Sequence, residues 1–103
     1  MLTADQKSII AAAEARFNAM TEIDHTITNH TAQLALCQSS LDRHIILGTY
    51  HEACFADFIR DARSQMHYHI TFLQTLHLSE HRDNEYLPSW DKLQGLFDKY
   101  VVS

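Results

Sequence analysis

Phe55-Ala-Asp-Phe-Ile-Arg-Asp-Ala-Arg-Ser-Gln-Met-His-Tyr-His-Ile-Thr-Phe-Leu-Gln-Thr-Leu76 places apolar side chains at Phe55, Ile59, Ala62, Met66, Leu73 and Leu76, in steps of three, four and seven residues. Those steps follow the 3.6-residue period of an α-helix and break the two-residue alternation of a half-buried strand. Phe58, Ile70 and Phe72 widen the face. No proline or glycine interrupts the run, so the segment is expected to form one long amphipathic helix.

Upstream, the same stripe starts at Leu41 and Ile45, with Gly48 as an early interruption that costs about 1 kcal/mol relative to Ala and marks a bend or a close helix contact. Ser39 with Asp42 forms a capping pattern behind the polar Gln38-Ser-Ser40, which marks either a turn or a surface patch in a continuous helix, and a turn is expected there. Before that turn lies a first long helix. It opens near Ala4, where Thr3 and Gln6 make a capping box, and its apolar positions recur every seven residues at Ala13, Met20, Ile27, Leu34 and Leu41. Ile9, Ile10, Phe17 and Ile23 adjoin them, while Thr26, Thr28, Asn29 and Thr31 are poor helix formers, so one bent helix or two shorter ones would carry the stripe.

Downstream, Ser79-Glu-His-Arg-Asp-Asn-Glu85 is polar and ends the second helix. Pro88 and Ser89 then precede Trp90, Leu93, Leu96, Phe97 and Tyr100, spaced for a short closing helix. The expected fold is all-α, one domain over residues 1–103, with two long amphipathic helices in a hairpin and a short C-terminal helix. A helix from Ala4 to Cys37 would be ~50 Å long, more than a compact domain of this mass needs. The uncovered apolar surface predicts a bundle completed by homodimerisation, with Met20, Ile27 and Leu34 at the interface.

Composition narrows the function classes. Hydrophobic residues make up 46% of the chain and charged residues 20%, which is globular rather than disordered composition. No apolar segment approaches the ~18 residues of a membrane span, and no basic stretch followed by an apolar run marks a secretory signal, so a cytoplasmic location is expected. Eight Lys and Arg stand against 13 Asp and Glu, a formal charge of −5, without the basic cluster that direct nucleic-acid binding needs. Cys37 and Cys54 both fall in helical pattern without a multi-cysteine framework and are read as reduced.

The chemistry-bearing residues are mainly histidines: His25, His30, His44, His51, His67, His69, His77 and His81. His77 and His81 lie four apart, the spacing at which one helix face grips a metal, and Cys54, His25 and Glu22 could add ligands. Glu22-Ile-Asp-His25 resembles the Glu-x-x-His half-motif of ferritin-like di-iron proteins, but no second such motif occurs. A His-rich metal-binding bundle is therefore the alternative reading, and no metal site or cofactor is assigned. Gly48 and Gly95 stand alone, so there is no phosphate-cradling loop, and no Gly-x-Ser-x-Gly elbow is present. A non-enzymatic regulator is expected, an adaptor, inhibitor or antiactivator whose protein partner could be a transcription factor. Phe55, Phe58, Tyr68, Phe72 and Trp90 are its candidate partner-binding anchors, because aromatic side chains dominate interface energetics.

Overall fold

The computed structural model describes residues 1–102 and is all-α, with no strand among them. Helix α1 spans Ala4–Ala19, α2 Glu22–Leu47, α3 Ala56–Leu76 and α4 Trp90–Leu96. A single 3₁₀ turn, Ala53–Phe55, leads into α3, and a π-helical turn, Phe97–Val102, follows α4.

The break in the N-terminal stripe falls at Met20-Thr21, where both residues are extended. Thr21 caps α2: its hydroxyl accepts from the Asp24 N–H at 3.3 Å, and its own N–H donates to the Asp24 carboxylate at 2.9 Å. Those two bonds satisfy donors that a continuous helix would have paired with its previous turn, so a second start is encoded locally. The Thr-rich segment that follows stays helical. Thr26, Thr28 and Thr31 return their hydroxyls to carbonyls three or four residues back.

The turn expected at Gln38-Ser-Ser40 does not exist, and α2 runs through it for 26 residues. Leu34, Cys37 and Leu41 explain why: they keep one helical phase across the polar triplet and are all buried. The hairpin turns at Gly48 instead. Gly48 adopts φ 73°, a left-handed conformation that lets its N–H reach back to His44 and Ile45 carbonyls and close the helix. Thus Leu41 and Ile45 belong to α2, and the second long helix begins only at Ala56.

The core is the α2–α3 seam plus the C-terminal segment. Ile27, Leu34, Cys37 and Leu41 of α2 meet Ile59, Ala62, Met66, Ile70, Leu73 and Leu76 of α3, with Leu93 and Tyr100 closing one side. Tyr100 is buried with its hydroxyl donating to the Asp42 carboxylate and accepting from Gln38 at 3.4 Å. Arg63 donates to the carbonyls of Tyr100 and Val101 at 2.9 and 2.7 Å, pairing acceptors that the end of a helix leaves open. The loop before α4 is pinned to the start of α2 by Asn84, whose amide donates to Asp24 at 2.6 Å. Thr21 and Asn84 donating to it hold the Asp24 carboxyl below the usual carboxylate range.

Helix α1 buries no residue. Phe17 leans on His25 across the Met20-Thr21 corner, with ring centroids 4.4 Å apart, and remains 62% exposed. The result is an open molecule with extents of 50 × 42 × 19 Å and a radius of gyration of 17.1 Å. A compact chain of this length would have a radius of about 13 Å.

Candidate binding surfaces and a histidine pair

The dimer-interface residues expected from sequence separate into two environments. Ile27 and Leu34 are buried within the chain's own α2–α3 seam, so a second copy could touch them only by opening the hairpin. Met20 sits half-exposed at the corner between α1 and α2. The physical reason is the break at Thr21: it redirects the chain, so the seven-residue spacing from Ala13 to Ile27 no longer describes one face.

The five aromatic anchors fall in three places. Phe55 and Phe58 flank His44 at the hairpin turn, with ring centroids 4.7 and 5.3 Å away, and His44 Nδ1 lies 2.7 Å from the Thr49 hydroxyl. These contacts close the turn, so Phe55 has an internal task and is half-buried, whereas Phe58 is still half-exposed. Tyr68 and Phe72 lie one turn apart, some 20 Å further along α3, and with Ser64, His67 and Thr71 they line an open groove of about 380 Å³. Trp90 opens α4 and meets the His77 ring edge-on at 6.1 Å. No single surface collects all five.

The groove is backed by a contact that sequence gave no sign of. His30 of α2 and His69 of α3 meet with their Nδ1 atoms 2.8 Å apart, and His30 stacks on Phe72 at 4.0 Å with the rings inclined 17°. A hydrogen bond between two Nδ1 atoms needs one donor and one lone pair, so at least one of the two rings must be neutral for it to form. Burial holds both imidazoles below their ordinary range, and each ring's proximity to the other adds to this for His69. Neither takes part in an ion pair among the described residues. The pairing joins positions 39 residues apart, and only knowledge of the α2–α3 register could have predicted it.

The His77 and His81 pair does not share a helix face. α3 ends at Leu76, and His77 Nε2 lies 2.7 Å from the Pro88 carbonyl, which requires that nitrogen to carry a proton. His81 sits in the following turn beside Glu80, at 3.6 Å. Among the described residues no group of three His, Cys, Asp or Glu side chains is close enough to hold one metal ion. Both cysteines are free thiols, Cys37 buried against Gln65 and Cys54 exposed.

Outside the groove, Leu78, Trp90 and Val102 are exposed in the C-terminal third, and large apolar side chains also stay uncovered along the hairpin and on α1. Ile45, Ile46 and Leu47 lie at the turn end of the hairpin, Leu36 and Phe58 border its flank, and Leu2, Ile9, Ile10 and Phe17 lie on or beside α1. No helix is long and apolar enough to cross a membrane. The chain matches no known family model, no curated protein and no solved structure.

Proposed function

We propose that this is a non-enzymatic regulatory protein that works by contact with another protein, as an adaptor, inhibitor or antiactivator. The observation that carries the reading is an excess of surface. The chain exposes 7255 Å², whereas a compact monomer of 11.9 kDa is expected to expose about 5,950 Å². The surplus, about 1,300 Å², exceeds the ~800 Å² that one partner contributes to a standard interface. It includes apolar side chains that a monomer has no reason to leave in water, among them Leu36, Ile46 and Tyr68.

The flank of the hairpin suits a partner's helix. Leu36 and Phe58 border one shallow groove between α2 and α3, and Tyr68 and Phe72 border the larger one on α3. Amphipathic helices bind such grooves through anchors at helical spacing. The net charge of −5 favours a partner with a basic rim, a property that DNA-binding regulators share.

A photo-crosslinking amino acid at position 36 or 68, used in extract of the source cells, tests the reading. A discrete protein adduct is expected at one of these positions and not at Asp83, which lies on the exposed loop before α4. Equal background at all three positions would remove the hairpin flank as a binding surface.

A further inference from the structure

We propose that α1 is a dimerisation arm, and that its occupant is α1 of a second copy of this chain running antiparallel to it. The proposal rests on the reading that the uncovered apolar surface exists to meet protein, and it names the partner for one part of that surface.

Four observations point to a second copy. First, Ile9, Ile10, Ala13 and Phe17 fall on one side of α1, separated by one, three and four residues, and none touches the hairpin closely enough to be buried. A 16-residue helix that buries no residue and touches the hairpin only where Phe17 leans on His25 is marginal in water, even one holding six alanines, so further packing is expected from outside the protomer. Second, the surplus of about 1,300 Å² per copy leaves room for a standard interface of ~800 Å² per partner, with surface remaining for the hairpin flank.

Third, α1 is electrically balanced in a chain that otherwise is acidic: Asp5, Lys7, Glu14 and Arg16 cancel, so two copies of this helix do not repel as two copies of the whole chain would. A helix that lies on an anionic membrane needs a Lys- and Arg-rich polar face, which α1 lacks.

Fourth, the order of those charges reads minus, plus, minus, plus along the helix. Asp5 and Arg16 flank the apolar stripe on one side, Lys7 and Glu14 on the other. In an antiparallel pair each flank meets the same flank of the second copy, so Asp5 faces Arg16 of the second copy and Lys7 faces Glu14 of the second copy in one common register. A parallel pair would instead bring opposite flanks together, Asp5 beside Lys7 and Arg16 beside Glu14 of the second copy, so a coupled exchange of Asp5 and Arg16 distinguishes the two arrangements. Ala13 near the middle of the stripe allows the two helices to approach closely there.

Sedimentation velocity of the full chain, at concentrations up to about 100 μM, tests this directly. Wild type is expected to dimerise, and Phe17→Asp to sediment as a monomer with the hairpin still folded by circular dichroism. Arg16→Glu should weaken the dimer by about tenfold, since it places like charges together at both symmetry-related contacts. Adding Asp5→Lys to Arg16→Glu should restore the affinity to near wild type. That rescue separates antiparallel self-pairing from general apolar stickiness, which the charge swap would not move. A monomeric wild type overturns the proposal, as does a Phe17→Asp dimer or a charge swap without rescue. A monomer that crosslinks from position 9 to a different protein overturns it in favour of a foreign partner. None of these outcomes bears on crosslinking from positions 36 and 68, so the hairpin reading stands or falls separately.

Discussion

Helix α1 and the α2–α3 hairpin begin from the same local code and reach opposite ends. Both α1 and α2 open with a Thr whose side chain and N–H exchange bonds with the residue three positions on, and both carry Ile and Phe or Leu at helical spacing. Yet α2 and α3 bury ten side chains against each other, whereas α1 buries none. Capping and periodicity state that a helix can form and which face is apolar. They do not state what covers that face. In the hairpin the cover is the next helix, delivered by Gly48 and a short turn, while the extended corner at Met20-Thr21 carries α1 away from it.

The largest expected effects lie in the hairpin. Ile27→Asp would bury a carboxylate with no partner in the α2–α3 seam, at a cost comparable to the 5–15 kcal/mol that holds a domain together, about. The variant should be unfolded by circular dichroism at 25 °C. Phe17→Asp, the matching change in α1, should leave the unfolding midpoint of the hairpin within about 0.5 kcal/mol of wild type in dilute solution, because Phe17 already stands in water. Equal damage from the two substitutions would break the contrast between the regions.

Next is the C-terminal brace. Tyr100 is buried against α2 and α3, so Tyr100→Ala should cost about 3–5 kcal/mol in urea unfolding, as aromatic truncations in cores do. Tyr100→Phe keeps the ring and removes the hydroxyl, with the bond it accepts from Gln38 and the bond it donates to the Asp42 acceptor. Because that acceptor is charged, a loss of about 1.5–3 kcal/mol is expected. A Tyr100→Phe protein as stable as wild type would mean that Asp42 finds water in place of the phenol.

Smaller still is the corner itself. Thr21→Ala removes the hydroxyl that accepts from Asp24, and should cost about 1 kcal/mol. The loss should appear as faster amide exchange in the first turn of α2, with α1 unaffected, if the two helices are independent units.

Much of this fold was legible in the sequence because its main signals are local. The all-α class, the capping box at Thr3, the polar end of α3 and the start of the last helix at Ser89 all come from residues within one or two turns of one another. The helix boundaries in the middle were not. Thr21-Glu-Ile-Asp24 carries the same capping pattern as Thr3, but the seven-residue spacing through Met20 masked it, while Ser39 and Asp42 showed the pattern in a helix that does not stop. What decides between such equal local signals is long-range burial: Leu34, Cys37 and Leu41 are held in phase by α3, and nothing holds Ala13 and Met20 in phase with Ile27. The same limit hid the contact between His30 and His69 and scattered the five aromatic anchors over three places.

The smallest expected effect concerns that histidine pair, which gives the hairpin a response to acid that α1 lacks. His30 and His69 face each other, with Tyr68 and Phe72 the aromatic neighbours of His30, and no carboxylate is paired with either ring among the described residues. Burial lowers both from their ordinary value near 6.5, so the folded state binds protons there less readily than the unfolded chain. Their contribution to stability is therefore fully present above about pH 6.5 and is lost as the pH falls through the lowered folded values. The unfolding midpoint should fall between pH 7.5 and 5.5. The chain holds eight histidines, so the informative quantity is the difference between wild type and His69→Gln. Glutamine can still hydrogen-bond to His30 but cannot become a second cation, so this variant should lose less stability on acidification than wild type does. Protonating both rings would set two N–H groups against each other behind Phe72. Parallel pH curves for wild type and His69→Gln would show that the two rings separate at no cost, and the histidine pair would then be a packing contact with no part in an acid response.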